Sequence, residues 1–445
     1  MKITLIQPTI GRIGSKKLKR PWTLEPLAMA VLAGVTPEDI ELKFYDDRIE
    51  DINYDDPTDL VGIGIETITA LRGYEIARHY SDRGIPVVMG GVHATLLPEE
   101  VAGYADTVVC GHAEKLWPKI IEDFRSGKMN KFYSENQTTL DYIAVNRKIF
   151  SEKKYFSVGL AEFGRGCPFR CDFCDIPVYF KGKYASRKID CFIDEIQKSK
   201  NKFFLVVDDN LGANQKKFRE FCKAITPLGI KWASQTSITI AKNEDLLDDI
   251  ARSGCIGFLV GFESTNAANL KQMNKSINES IPFDTAIRRF HERGIKIYGS
   301  FIVGYDGDTA ESVSEMVQFA VEQKLFIANF QPLIPIPQTP LYNRLQSEGR
   351  LTNERWWLDY DYCYGDFVYR PARMTPEEMR KICEDAKRAF YGVGSIFARA
   401  FSSANSGNFS SASAYLSANI MTRKEVVLKN KTKLGFDKNL PHLLI

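Results

Sequence analysis

The sequence lacks a long apolar run and a dominant charge. No stretch of about 18 consecutive apolar residues occurs in it, which predicts that it has no transmembrane segment. The 59 Lys and Arg residues nearly balance the 56 Asp and Glu residues, so the net charge of +3 gives no indication of a nucleic-acid partner. The opening MKITLIQPTIG indicates a strand and a turn, not a signal peptide, and we expect a cytoplasmic protein with reduced thiols.

The first 130 residues alternate short apolar runs with amphipathic segments. The runs are KITLIQP, ELKFYDD, DLVGIGIE, IPVVMGG and DTVVCG. Short runs rich in Val and Ile, separated by helical segments, predict a parallel sheet covered by helices on both faces. Residues 1–130 are therefore predicted to form a doubly wound α/β domain that binds its ligand at the carboxyl ends of the strands.

A second alternation starts at residue 151, after a segment over 131–150 without a clear pattern, which we interpret as a linker. Its candidate strands are VGLAEFG, FFLVVDD, KWASQTS, IGFLVGFE, KIYGSFIVG and IANFQPLIP. Six strands separated by helices predict an open six-stranded βα barrel over 151–340, with its site at the carboxyl ends of the strands. The remaining residues, 341–445, are predicted to form a mostly helical carboxyl-terminal region.

Only three of the nine cysteines lie close together. Cys167, Cys171 and Cys174 fall within eight residues, and most of the others, scattered singly among apolar residues, are interpreted as core positions. A structural zinc site takes four ligands, and the nearest histidines, His112 and His291, are far away in sequence. Three thiolates can instead bind three irons of a [4Fe–4S] cluster and leave the fourth iron open. The loop is therefore predicted to hold a cluster that performs chemistry.

The spacing Cys-x3-Cys-x2-Cys, with Phe173 before the last cysteine, resembles the radical S-adenosylmethionine (SAM) superfamily. The resemblance implies that SAM chelates the open iron and is cleaved to a 5′-deoxyadenosyl radical. It also implies cofactor contacts around the cysteine loop and at the ends of the later strands. The candidates are Phe173, Asp208, Asp209, Asn210, Gln235, Glu263, Phe301 and Gly304. Each strand-end polar residue has an alternative role, capping a helix or solvating a loop.

The first domain resembles the cobalamin-binding domain that precedes many radical SAM barrels. The matching pieces are WTLEPLAMAVLAG, VVMGGVHATLLPEE and VVCGHAEKLWPKII, and GRLTNERW follows the barrel. The whole resembles the cobalamin-dependent subclass that includes hopanoid methylases and bacteriochlorophyll-pathway enzymes. This implies a flavodoxin-like first domain with the cobalamin tail near Gly90 and Gly91, where a simple glycine turn is the alternative. No Asp-x-His-x-x-Gly motif is present, so we expect no histidine ligand to cobalt.

The resemblance implies an enzyme that uses a [4Fe–4S] cluster, SAM and cobalamin to methylate an unactivated carbon of a small-molecule or lipid-like substrate. A reductant such as flavodoxin or ferredoxin is an implied partner. Alternatives that stay open are a cobalamin-dependent enzyme that cyclises, oxidises or rearranges its substrate, and a radical SAM enzyme whose first domain holds no cobalamin. A simple electron carrier is disfavoured, because it needs no polar pocket. An aromatic run over 356–367 either roofs an apolar pocket or packs internally.

Overall fold

The computed structural model describes residues 1–13, 16–17, 22–135, 140, 144–199, 201–429 and 432–436. They form two compact units. The first contains Met1–Ser157, Arg355–Tyr364 and the described part of the segment after residue 430, and the second contains Val158–Glu354 and Gly365–Asn430. The sequence predicts contiguous domains, whereas each unit here is assembled from separate stretches of chain.

The first unit is built on a parallel six-stranded sheet. Its first stretch contains the strands β1 (Lys2–Gln7), β2 (Gly11–Ile13), β3 (Lys16–Lys17), β4 (Glu41–Asp46), β5 (Leu60–Gly64), β6 (Val87–Gly90), β7 (Thr107–Gly111) and β8 (Phe132–Glu135). The helices are α1 (Leu27–Val35), α2 (Ala70–Ser81), α3 (Val92–Leu96), α4 (Pro98–Ala102) and α5 (Leu116–Arg125). The strand order β4-β1-β5-β6-β7-β8, with every pair parallel, is the predicted flavodoxin order with one more edge strand.

The inner strands of this sheet are apolar because helices cover both faces. Ile3, Leu5 and Leu60 are fully buried, and the core that contains them also includes Trp117 of α5. The edge strand β8 lies inside the stretch that the sequence interpretation treats as a linker. Its sequence FYSE contains no apolar run, and Phe132 is exposed, so the pattern that identified the other strands is missing here.

The second unit contains the predicted barrel strands. They and two short strands are β9 (Gly159–Ala161), β10 (Gly164–Gly166), β11 (Tyr184–Ser186), β12 (Phe203–Val206), β13 (Lys231–Thr236), β14 (Cys255–Glu263), β15 (Lys296–Val303) and β16 (Ile327–Pro332). The main sheet runs β9-β12-β13-β14-β15-β16, and every pair is parallel. Consecutive parallel strands linked by helices give the predicted open βα barrel.

Helices cover one face of this sheet and extend beyond its last strand. They are α6 (Ile176–Tyr179), α7 (Ile189–Lys198), α8 (Gln215–Ile225), α9 (Glu244–Arg252), α10 (Ala267–Gln272), α11 (Phe283–Glu292), α12 (Ala310–Glu322), α13 (Pro340–Ser347), α14 (Pro376–Phe390), α15 (Val393–Ala400), α16 (Ser403–Ser406) and α17 (Phe409–Lys429). Several begin at side-chain caps, and α14 starts with a capping box between Thr375 and Glu378. Along the described part of the chain, none of the helices has the length and apolar character needed to cross a bilayer.

Two late stretches of chain complete the first unit. The strand β17 (Lys433–Leu434) pairs antiparallel with β2. Trp356 and Trp357 are buried, and the Trp357 indole donates a hydrogen bond of 2.9 Å to Glu100. This supports internal packing for at least this part of the aromatic run, because both indoles are already enclosed by the unit to which they belong.

The second unit carries a half-buried histidine, with a buried Nε2 atom, whose titration we expect to affect stability. Burial lowers the pKa of His291 to about 4, and among the described residues its Nε2 has no hydrogen-bond partner. The unfolded chain, with a pKa near 6.5, binds more protons between these values, so the free energy of unfolding falls as the pH falls. We expect a contribution of about 2 kcal/mol between about pH 7 and about pH 5. Urea midpoints at both pH values should show a smaller pH dependence in His291→Gln.

The matched control is His79→Gln, because His79 is exposed on α2. Its midpoints should keep the pH dependence of the unmodified protein. An equal pH dependence in His291→Gln and the unmodified protein would contradict the assignment of a half-buried, neutral imidazole.

Candidate active site on the cysteine loop

The three clustered cysteines lie on a loop closed by two short antiparallel strands. β10 precedes Cys167 and pairs with β11, which follows the loop. Gly166 has φ +86°, and a Cβ there would lie 2.1 Å from the Lys183 carbonyl oxygen. A side chain at position 166 would therefore open the base of the loop.

Side chains from the end of β12 hold the entry to this loop. Asp208 Oδ1 accepts a 2.8 Å hydrogen bond from the Phe163 N–H, and Asp209 Oδ2 accepts one of 2.6 Å from the Gly166 N–H. Asp208 is fully buried, and burial raises its pKa well above the ordinary value. The structure thus gives Asp208 a role in fixing the backbone, and the SAM contact expected from the sequence stays a prediction.

Asn210 connects the loop to the next strand. Its Nδ2 lies 3.5 Å from Cys167 Sγ, within the range of a hydrogen bond to sulfur, and its Oδ1 accepts from the Ser237 N–H at 3.2 Å. Asn210 is buried. Among the predicted residues after β12, it is the one in contact with a cluster cysteine.

Asp172, which the sequence interpretation missed, anchors the middle of the loop. Its Oδ1 accepts a 2.5 Å hydrogen bond from the Tyr305 hydroxyl, and its backbone bonds to Met273 and Leu341. Tyr305 follows Gly304, whose φ is +127° and whose Cβ would lie 2.4 Å from the Tyr369 hydroxyl. Gly304, predicted as a cofactor contact, thus allows a backbone turn that lets Tyr305 reach the cysteine loop.

The thiols suit an iron–sulfur cluster by their donor chemistry. Cys171 is buried, while Cys167 and Cys174 are partly exposed. Burial raises the pKa of Cys171 to about 11, although Lys275 opposes the shift, and burial also raises the pKa of Cys174. Within the described ranges, no three His, Cys, Asp or Glu side chains stand in ready coordination geometry. The fit therefore rests on three neighbouring thiols without a fourth protein ligand, the set that leaves one iron open.

Glu263 ends β14 in an ion pair with Lys275, a residue the sequence interpretation missed. Glu263 has φ +64°, unusual for a residue with a side chain, and its carboxylate bonds to the Lys275 ammonium. The β14–β15 register shifts at this point, and Asn278 donates to the Gly261 and Phe262 carbonyls at 2.9 and 3.1 Å. A β-bulge with an uncommon backbone conformation often marks a functional site.

The ion pair needs a glycine next to it and lies against the cysteine loop. A Cβ at Gly261 would lie 2.2 Å from Glu263 Oε1 and 2.8 Å from Lys275 Nζ. Lys275 Nζ lies 5.8 Å from the centre of the Phe173 ring. Burial would lower the pKa of Lys275, but Glu263 and the charges of Cys171 and Cys174 together raise it, so the site keeps a cation beside the thiols.

The two faces of the barrel sheet have different chemistry. Phe301 is fully buried and stacks between Phe262 and Phe330 in the core that packs against the helices. Its side chain therefore packs on the helix-covered face, and the cofactor contact predicted at position 301, which would have to come from the backbone, stays a prediction. Side chains alternate along a strand, so Ser300 points to the opposite, partly accessible face.

That accessible face is polar toward the carboxyl ends. Ser300 of β15 is in register with Asn329 of β16 and with Gly261 of β14. Gln235 of β13, predicted from the sequence, is partly exposed one row away, opposite Leu259. Ser300 and Asn329 were not predicted as site residues. Polar residues within otherwise apolar strands could have indicated them.

The first unit has its own candidate cradle at the carboxyl ends of its strands. β5, β6 and β7 each end on a glycine, and Gly64 is in register with Gly90. Gly91 has φ +109°, and a Cβ there would lie 2.5 Å from the Ile65 carbonyl oxygen. The strand ends therefore lack side chains at the predicted positions, and local packing requires a glycine at position 91.

His93, just after these glycines, is committed to an internal network. It is fully buried, and its ring nitrogens lie 3.2 Å from the Thr67 hydroxyl, 3.2 Å from the Tyr74 hydroxyl and 3.1 Å from Glu100. Burial would raise the pKa of Glu100, but the bonds from His93, Tyr74 and Trp357 together lower it. Because both ring nitrogens already have hydrogen-bond partners, His93 has no free nitrogen with which to bind a metal.

A three-thiol loop at the carboxyl ends of an open βα barrel defines the radical SAM class of enzymes, and residues 161–320 match the Radical SAM superfamily. Bacteriochlorophyllide d C-8(2)-methyltransferase of Chlorobaculum tepidum is 30% identical over 351 residues, which cover 74% of this chain and 78% of that protein. Bacteriochlorophyllide d C-12(1)-methyltransferase of the same bacterium is 27% identical, covering 84% of each chain.

Among solved structures, the radical S-adenosylmethionine methyltransferase TsrM of Kitasatospora setae, with cobalamin and a [4Fe–4S] cluster bound, has the same fold. The TM-score is 0.68 at 16% identity, covering 97% of this chain and 99% of that one. The chain belongs to the radical SAM superfamily, and it is a radical SAM enzyme of the group that contains these methyltransferases. A [4Fe–4S] cluster and SAM are the cofactors of this superfamily.

We predict that only the three loop cysteines are needed for iron binding. Alanine at Cys167, Cys171 or Cys174 should remove most of the iron from anaerobically reconstituted protein, which should otherwise hold about four irons per chain. Cys222→Ala and Cys383→Ala are the controls, because both thiols are buried in the barrel core. A triple loop variant that keeps its full iron content would overturn the assignment.

We predict that Glu263 is needed for SAM binding and not for the cluster. Glu263→Ala should weaken SAM binding by about 1.5–3 kcal/mol, the size of a charge-assisted hydrogen bond, while the iron content stays unchanged. Equilibrium dialysis with labelled SAM gives the affinity. Glu292→Ala is the control, because it breaks an exposed pair with Arg288 on the same unit. Equal affinities in the two variants would rule out a role of Glu263 in SAM binding, whether direct or through Lys275.

Proposed function

We propose that this chain is a cobalamin-dependent radical SAM C-methyltransferase that acts on a small-molecule or lipid-like substrate. One observation carries the proposal: a three-thiol loop on a βα barrel and a flavodoxin-order domain with a glycine cradle occur in one chain. Cobalamin in a doubly wound domain would lie at the carboxyl ends of the strands, where β5, β6 and β7 end on glycine. The names of the two bacteriochlorophyllide methyltransferases support the same reaction type.

The residues of the barrel unit have defined parts in this proposal. Bound together, the cluster, SAM and cobalamin would supply a carbon-centred radical and a methyl group to join it. Cys167, Cys171 and Cys174 hold the cluster, and Asp209 and Asn210 fix the loop that carries them. The ammonium of Lys275 is the cation available for the SAM carboxylate, and Glu263 holds that ammonium in place.

The polar face of the sheet would orient the groups that react. Gln235, Ser300 and Asn329 present amide and hydroxyl groups on its accessible side, and such groups can position a ribose or a substrate hydroxyl. Because a radical reacts with whatever lies nearest, positioning by fixed hydrogen bonds is the main task left to the protein. The apolar core behind the sheet, which includes Phe262, Phe301 and Phe330, keeps these strands rigid.

The reductant and the location follow from the cofactors. A cluster that must be reduced needs an electron donor, and a small protein such as flavodoxin or ferredoxin is the proposed partner. Three thiols that bind iron must stay reduced, which supports a location in the cytoplasm.

The proposal is tested by reconstitution with iron, sulfide and hydroxocobalamin under anaerobic conditions. We expect about one cobalt per chain, formation of 5′-deoxyadenosine from SAM, and transfer of labelled methyl from SAM to the bound cobalamin. Gly91→Val should lose cobalt, because its side chain would collide with the Ile65 backbone, but keep iron and SAM cleavage. Retained iron also reports that the variant has folded.

Gly84→Ala is the matched control. Gly84 has a similarly positive φ of +70°, but nothing lies within 4 Å of its Cβ position, so cobalt and iron should both remain. A cobalt content near zero in the unmodified protein, with SAM cleavage intact, would rule out cobalamin-dependent methyl transfer. Bound cobalamin and SAM cleavage without any methyl uptake would point instead to cyclisation, oxidation or rearrangement.

A further inference from the structure

Exposed apolar side chains are concentrated in one stretch of the second unit. Of the eleven exposed large apolar residues in the described ranges, six lie on or beside α15 and α17. We call this set the apolar face; its residues are Val393, Phe397, Phe401, Phe409, Leu416 and Ile420. Phe397, Phe401 and Phe409 are 60%, 81% and 91% exposed. The helices α15 and α17 contact each other, and a concentration of exposed apolar side chains of this kind is typical of an interaction site.

The helices that carry the apolar face are firmly attached on their other side. Arg399 is fully buried and donates hydrogen bonds of 2.9 Å to the Leu325 carbonyl and to Asn419 Oδ1. The Tyr415 hydroxyl donates to the Ile396 carbonyl at 2.6 Å. The exposed phenylalanines therefore do not result from a detached helix, because a polar network fixes the opposite side of the same segment.

The charge of this stretch is predominantly positive. From residue 386 to residue 429 the sequence contains six Lys and Arg residues and one carboxylate, Glu425, and Arg423 and Lys424 are exposed near the end of the apolar face. Two carboxylates line the pocket beside Phe401: Glu292 pairs with Arg288 at 3.0 Å, and Glu322 accepts a hydrogen bond from the neutral Gln318 amide at 2.7 Å and keeps its charge. The surface therefore combines aromatic side chains with the exposed cations Arg423 and Lys424 at its far end.

The apolar face lies at the end of the barrel away from the cysteine loop. Arg399 bonds to the Leu325 and Phe326 carbonyls, and Asn405 bonds to the Lys324 carbonyl, all just before β16 begins. The cysteine loop belongs to the carboxyl ends of the strands. An interaction at the apolar face would thus locate the enzyme and leave the chemistry of the loop unchanged.

We propose that the apolar face inserts into the surface of an anionic lipid bilayer. Aromatic side chains on and beside two anchored helices, followed by exposed Arg and Lys, form a pattern that binds in the plane of a membrane interface. The phenylalanines stand among Ser, Ala, Gly and Asn, as in AFSSANSGNFSSASA, and small neighbours let each ring enter lipid separately. The excess of Lys and Arg over carboxylates from residue 386 to residue 429 matches the negative surface of an anionic membrane. This inference does not depend on the proposed methyl transfer.

The test is flotation of the full chain with vesicles of phosphatidylcholine containing about 30% phosphatidylglycerol. The protein should float with these vesicles and bind much less to vesicles of phosphatidylcholine alone. About 0.5 M salt should release part of the bound protein, because salt screens the attraction between charges. The combined variant Phe397→Ser, Phe401→Ser and Phe409→Ser should bind the anionic vesicles at least about tenfold more weakly than the unmodified protein. The variant Arg423→Gln with Lys424→Gln should lose binding only to the anionic vesicles.

Phe132→Ser with Phe156→Ser is the control, because both side chains are exposed outside the apolar face. It should bind vesicles like the unmodified protein. All variants should retain iron and form 5′-deoxyadenosine at the unmodified rate, which shows that the barrel is intact. The proposal is overturned if the unmodified protein stays with the aqueous fraction, or if the triple variant floats equally well. Self-association that the triple variant abolishes, without vesicle binding, would overturn it in favour of a second copy as the occupant.

Discussion

Two carboxylates at the end of β12 hold the backbone just before the cysteine loop. Asp208 and Asp209 accept hydrogen bonds from the Phe163 and Gly166 N–H groups, which would otherwise be left without partners as the chain leaves β9. The loop can then carry three thiols at a fixed distance from the sheet. Asp172 anchors the middle of the loop in a similar way, because its carboxylate accepts a hydrogen bond from the Tyr305 hydroxyl. The conformation of the cysteine loop thus depends on carboxylates that bond to its backbone and to Tyr305.

The site also depends on places where strands stop being regular. The bulge at Gly261 lets Glu263 adopt a left-handed conformation and turn toward Lys275, and Asn278 satisfies the carbonyls that the bulge frees. At the end of β15, Gly304 has a positive φ, and the resulting turn lets the Tyr305 hydroxyl bond to Asp172. Gly261 lies near the end of β14 and Gly304 directly follows β15, and the helix-covered face of both strands is packed with phenylalanine. The irregular backbone at these two glycines is therefore supported by a rigid apolar layer.

Most of the architecture could be predicted because short segments of the sequence carry the periodicity of the strands and helices that they form. Apolar runs marked the six barrel strands, and the cysteine spacing marked the loop. The strand β8 escaped because a short edge strand needs no apolar run. Lys275 and Asp172 escaped because their partners are twelve and more than a hundred residues away, beyond any periodic signal. The face on which Phe301 lies could not be predicted, because a motif identifies a strand without giving its register, and a shift of one residue exchanges the two faces.

The first unit is completed only by residues made late in synthesis. β2 pairs with β17 across more than four hundred residues, and Glu100 receives the Trp357 indole from beyond the barrel. On the ribosome, the first domain would therefore emerge with part of its packing absent and would wait for the barrel to be translated. Long loops of this kind slow folding more than they lower stability. A fragment that stops at residue 157 would lack two buried indoles and a strand pairing, so the natural unit of expression is the whole chain.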